Sequence, residues 1–123
     1  MKILLIGLAG LLGTLSRYWL AGLVARRYGE TFPTATLLVN LLGCFLAGLL
    51  FYLLQERFRV GDPLQAILMV GFLGGFTTFS AYGLQTFTML RDGAFALAAL
   101  YLLLSNAVGL LLVWAGYSLA KVL

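Results

Sequence analysis

Few residues of this sequence could do chemistry, and the densest group of them, Gly74-Gly75-Phe76-Thr77-Thr78-Phe79-Ser80, lies in the middle of an apolar run. Its glycine and threonine pairs are poor helix formers, so the segment predicts a helix break. Backbone that leaves helical form inside a bilayer must line water, bind an ion or be sealed in protein. Carbonyls freed at such a break suit Na⁺, the use that transporters make of unwound helices. Phe79 and Tyr82, three residues apart, share one helical face. Aromatic edges are electropositive, so this pair either meets a small anion edge-on or simply packs the core.

The other polar residues inside apolar runs are few and scattered. Asn40 shares a face with Thr36, Gly43 and Ala47, which puts an amide near mid-membrane. It either bonds across a helix interface, worth about 0.6 to 2 kcal/mol, or donates its NH₂ to a passing anion. Tyr101, Ser105 and Gly109 recur every four residues beside Asn106, a hydroxyl stripe that serves as interhelical glue or as a track of donors for an ion. Arg17 is the one charge inside an apolar run; it either snorkels to the interface or supplies positive potential for anions. The carboxylates Glu30, Glu56, Asp62 and Asp92 all fall between the runs, so no span carries an acid for proton-coupled cation exchange. There is no histidine for a proton relay, and Cys44 alone forms no intrachain disulfide or thiolate cluster.

The elements that must position these residues follow from composition. Of 123 residues, 63% are hydrophobic and 10% charged, and the mean hydropathy is +1.05. A soluble domain carries about 25% charged residues and buries about two-thirds of its surface, so this apolar excess needs lipid. The chain reads as one all-α, polytopic membrane domain over residues 1–123, with spans at about 3–25, 34–54, 63–90 and 94–120. Its four transmembrane helices include a break in the third near 74–80. Lys2 and the apolar stretch after it resemble a signal segment, but Arg17 stands where a cleavage site should be, so this is expected to remain as the first span. Pro33 suits the first turn of the second helix, and Asp62-Pro63 reads as an N-cap followed by proline at the first helical position. Gly7, Gly10, Gly13 and Ser16 form a small-residue stripe that lets helices pack closely.

The charges between spans form no basic cluster, which argues against nucleic acid. Lys2, Arg57, Arg59 and Lys121 fall on one side and Arg26, Arg27 and Arg91 on the other, four against three. Such balance gives no orientation. It leaves open insertion in both directions as an antiparallel, dual-topology homodimer, or one orientation set by insertion machinery or a partner.

The segment 74–80, together with Gly10-x-x-Gly13-x-x-x-Arg17-Tyr18 in span one and Thr36-x-x-Val39-Asn40-x-x-Gly43 in span two, resembles the Fluc (CrcB) fluoride channels along the whole chain. The resemblance implies a passive, fluoride-selective channel of the cytoplasmic membrane that exports F⁻ and protects against its toxicity. It implies an antiparallel homodimer with two pores and a structural Na⁺ at the dimer centre, caged by the Gly74 and Thr77 backbone carbonyls of both subunits. By position, Phe79 and Tyr82 would form the aromatic fluoride box and Asn40 a donor beside the path. Tyr101 and Ser105 would lie on the polar track, and Arg17 in an anion-attracting vestibule. Three positions depart from the family pattern. Tyr82 replaces the usual phenylalanine, so its hydroxyl either offers a donor or narrows the path. Gln85 stands where a glutamate is frequent, and Gly109 where the track commonly continues with a hydroxyl.

Two other classes share this architecture. A small dual-topology multidrug-type antiporter has four spans but needs an acid in the first, where this chain has Arg17. An accessory membrane subunit would use the same polar residues only to hold a partner.

Overall fold

The computed structural model describes residues 1–123 as four long helices with short connections. They are α1 (Lys2–Tyr28), α2 (Thr34–Arg57), α3 (Asp62–Arg91) and α4 (Phe95–Val122), each long and apolar enough to cross a membrane. The shortest, α2, has 24 residues, or about 36 Å at 1.5 Å per residue, against a hydrocarbon core of about 30 Å. The helices extend past the apolar runs because backbone bonding continues into the polar interface.

The connections are built from local chemistry. Gly29 ends α1 at φ 73°, a left-handed conformation that glycine adopts without strain, and its N–H reaches the Ala25 carbonyl at 2.9 Å. Pro33 lies just outside α2 and not in its first turn; its carbonyl accepts from the Leu37 N–H at 3.0 Å. The expected N-cap at Asp62 is corrected in the same direction. Gly61 is the cap, its carbonyl taking the N–H of Leu64 at 3.2 Å, while the Asp62 carboxylate pairs with Lys2 at the start of α1.

Two close helix pairs organise the bundle. α1 lies along the N-terminal half of α3, and α2 lies along the C-terminal half of α4. Glycines permit both approaches: a Cβ on Gly13 would meet the Phe72 carbonyl, and one on Gly116 would meet that of Phe45. Gly7 faces open space, so the small-residue stripe of α1 is only partly a packing seam. The buried core is small, 15 of 123 residues, centred on Val39, Leu73, Phe76, Ala98 and Tyr101. Most leucines of α1 therefore face outward, where lipid or another chain covers them.

The helical backbone is irregular in several places. Helix stops at Phe76 in α3 and resumes at Phe79, with Thr77 (φ −88°, ψ 161°) and Thr78 (φ −148°, ψ 118°) extended between them. Each threonine finishes one helical half. Thr77 returns both its N–H and its hydroxyl to the Leu73 carbonyl at 2.9 Å, while Thr78 Oγ1 accepts from the Ala81 N–H at 3.3 Å. Tyr52–Arg57, Ala66–Leu73 and Leu104–Val108 are wound as π-helix, a widening that recurs at functional sites.

Candidate functional site

The extended pair in α3 is held from α2. Asn40 Oδ1 accepts the Thr78 N–H at 2.8 Å, and Asn40 Nδ2 donates to the Thr78 carbonyl at 2.9 Å. In a continuous helix the Thr78 N–H would bond to the Gly74 carbonyl, so the amide takes over a backbone partner. Unmet groups of this kind cost several kcal/mol each in hydrocarbon. Of the two uses open to Asn40, the structure displays the cross-helix bond, and it leaves one of the two Nδ2 protons for another acceptor. Gly43, one turn on, makes room for the methyl group of Thr77.

Asn40, Gly74, Thr77, Phe79, Tyr82 and Ser105 line one cavity of about 420 Å³. Six residues from three helices thus meet at the discontinuity. No carboxylate stands on its wall. Ser105 Oγ is buried without a hydrogen-bond partner, a donor facing polar company it does not yet have.

The aromatic residues form a ladder. Phe79 and Tyr82 stand 5.6 Å apart at 50°, Tyr82 and Tyr101 5.3 Å apart at 58°, and Phe32 meets Tyr101 edge-on at 5.6 Å. Phe79 is 83% exposed on the single chain, whereas Tyr101 is fully buried behind Tyr82 and does not reach the cavity. Its hydroxyl donates to Gln85 Oε1 at 2.8 Å, and Gln85 Nε2 donates to Thr36 Oγ1 at 2.9 Å. This chain through α4, α3 and α2 went unread in the sequence. Its only signal was three polar residues at similar depth on three spans.

Arg17 does not run to the interface. Its Nη1 donates to the Thr77 carbonyl at 3.3 Å, and it lines a second cavity of about 400 Å³ with Thr14, Tyr18, Thr36 and Thr78. Thr14 Oγ1 reaches the Gly75 carbonyl at 3.4 Å beside it. Thr78 borders both cavities. The guanidinium therefore supplies positive potential where the α3 backbone is extended.

The donor sets decide what such a site can hold. No group of three or more His, Cys, Asp or Glu comes together for a metal ion. What the α3 discontinuity offers is backbone oxygen for hard cations and N–H, O–H and ring edges for anions.

Residues 4–117 match the family described as CrcB-like protein, Camphor Resistance (CrcB). This chain belongs to the CrcB family. The match takes in nearly all of the four helices and every residue placed at the site above. The CrcB chain is 42% identical over 122 residues to a protein of Nitrosococcus oceani named fluoride-specific ion channel FluC, covering 99% of this chain and 98% of that one. Proteins of the same name from Methylobacillus flagellatus and Magnetococcus marinus are 40% and 39% identical, over 98% and 100% of this chain and 94% and 100% of theirs. In this CrcB-family chain the two side-chain departures seen in the sequence are both engaged: Gln85 bridges Thr36 and Tyr101, and the Tyr82 hydroxyl accepts from Asn106 at 2.9 Å.

Proposed function

We infer that this chain is a multi-pass membrane protein that conducts fluoride as a selective ion channel, and that it is not an enzyme. The observation that carries the reading is full-length similarity to proteins named for that function, and the acid-free, donor-lined cavity supplies its physical sense. The antiporter and accessory-subunit alternatives give way to it.

Fluoride is small and strongly hydrated, so crossing requires replacement of its water by protein donors. The second Nδ2 proton of Asn40, the unpartnered Ser105 hydroxyl and the edges of Phe79 and Tyr82 are the groups available in the cavity. Arg17 draws anions into the adjoining vestibule. Tyr101 acts one layer back, through Tyr82 and Gln85, and not as a direct ligand. Chloride is larger and is excluded by fit. Fluoride enters a cell as neutral HF in acid surroundings and is trapped on dissociation, so a passive pore in the cytoplasmic membrane exports it down the membrane potential.

The functional unit in this reading is an antiparallel dual-topology homodimer. Near-balanced charge and the exposed apolar side of α1 support it. The α3 discontinuity then meets its counterpart, and the carbonyls of Gly74 and Thr77 from both copies hold Na⁺. The donor chemistry fits: these are hard oxygens, the Gly74 carbonyl has lost the Thr78 N–H to Asn40, and the Thr77 carbonyl, which accepts one long bond from Arg17, keeps a second lone pair. When bound, the ion would neutralise facing carbonyls and fix the two chains together.

Potassium fluoride-loaded liposomes containing the purified protein should release fluoride rapidly on addition of valinomycin, with little chloride released in parallel. Folded dimers that release none would sink the reading.

A further inference from the structure

The Tyr82 hydroxyl and the Asn106 amide form a hydrogen bond whose direction is set by a third group. Asn106 Nδ2 lies 2.9 Å from the Tyr82 hydroxyl oxygen and 2.8 Å from the Leu102 carbonyl, one turn back in α4. A carbonyl only accepts, so the amide nitrogen and not its oxygen must face Leu102. Both N–H groups of that nitrogen are then committed, one to Leu102 and one to Tyr82. The Tyr82 oxygen is the acceptor, and its own proton is directed away from Asn106.

That proton has no acceptor in the protein, and the residues around it explain why this matters. Tyr82 and Asn106 both line the cavity that holds Asn40 and Ser105, and Ser105 Oγ is buried without a partner. The π-helical Leu104–Val108 stretch carries Ser105 and Asn106, two consecutive residues, to the same cavity. One tyrosine proton, one serine proton and one amide proton are thus presented to a space with no carboxylate on its wall.

We propose that Asn106 is a positioning residue that holds the Tyr82 hydroxyl as an obligate hydrogen-bond donor to the anion in this cavity. The proposal rests on the fluoride-channel reading and adds to it a discriminating group outside the ring-edge contact. With Asn106 in place, Tyr82 cannot offer its occupied lone pair and meets an anion proton first. Without Asn106 the hydroxyl turns freely about its C–O bond and presents oxygen to the anion in part of its orientations. Asn106 touches no ion itself.

The test is a double-mutant cycle in liposomes, with the tyrosine C–O stretch read by infrared difference spectroscopy on ring-labelled protein. Tyr82→Phe and Asn106→Leu should each lower fluoride release about tenfold, the worth of one oriented hydrogen bond, and the double variant should be no slower than Tyr82→Phe. Adding NaF to the wild type should move one tyrosine band, absent in Tyr82→Phe, from acceptor-only to donor-and-acceptor character. In Asn106→Leu that band should start elsewhere. Asn106→Ala replaces Asn106→Leu if the larger side chain unseats α4.

An Asn106 substitution that slows fluoride equally with Phe at position 82 would make its role merely structural and overturn the proposal. So would unchanged flux in Asn106→Leu, or a tyrosine band indifferent to fluoride. A wild type that releases no fluoride defeats the channel reading instead, and the infrared arm, which needs only binding, still decides the part played by Asn106.

Discussion

Two irregular stretches face each other across the cavity, and they satisfy their backbones in opposite ways. In α3 the extended Thr77 and Thr78 rely on other helices: Asn40 takes both main-chain groups of Thr78, and Arg17 bonds the Thr77 carbonyl. In α4 the Leu104–Val108 stretch remains wound and needs no neighbouring helix for its main chain; Asn106 bonds the Leu102 carbonyl of its own helix, and Ser105 is left unpaired at the cavity. Lipid offers no hydrogen bonds, and each solution follows from that. The α3 discontinuity is therefore a property of three helices together, whereas the α4 widening belongs to one. Substitutions around the first should disturb assembly and conduction together, and substitutions on the second should touch conduction alone.

The largest effect is expected from Asn40→Leu, which keeps the side-chain volume and strips the Thr78 N–H of its partner, while the Thr78 carbonyl keeps the first bond of the helix it caps. A buried N–H left unmet costs about 1 to 3 kcal/mol, so thermal unfolding in detergent should fall steeply and fluoride release should vanish. A variant with wild-type Tm would show that α3 holds its extended residues without α2. Next comes removal of Na⁺. If Gly74 and Thr77 of two copies hold the ion, exchange into N-methylglucamine should destabilise the dimer by about 2.7 kcal/mol relative to Na⁺ at 100 times its Kd, read as a lower dissociation temperature by size exclusion. Equal stability in both media would remove the cation from the α3 discontinuity. The smallest effect belongs to Ser105→Ala. Because its Oγ has no protein partner, unfolding should be unchanged within about 0.5 kcal/mol while fluoride release drops several-fold. A loss of stability there would mean that α4 also leans on its neighbours.

How far these features could be read beforehand depended on whether one residue's type carried the signal. The four spans were legible because apolar runs end in Arg26-Arg27, Glu56-Arg57 and Arg91-Asp92. The glycine and threonine pairs pointed to 74–80, but the break is confined to Thr77 and Thr78; Gly74 and Gly75 stay helical, because in lipid a helix keeps its backbone bonds wherever it can. Asn40 shares a helical face with Gly43 by spacing alone, but its two hydrogen bonds to Thr78 depend on how close α2 comes to α3, which Gly43 sets and no periodicity reports. Asp62-Pro63 suggested the wrong cap because Lys2, sixty residues away, competes for the carboxylate. The Thr36–Gln85–Tyr101 chain and the π-helical stretches depend on depth matching between helices and leave no local trace.

Thr78 is the one residue common to the linings of both cavities, so it stands between the chamber of Arg17 and the chamber of Ser105. The peptide planes on either side of Thr78 are part of the wall between them. Asn40 clamps those planes at both the N–H and the carbonyl. The same two bonds that complete the fold of α3 therefore also determine how stiffly the two chambers are kept apart.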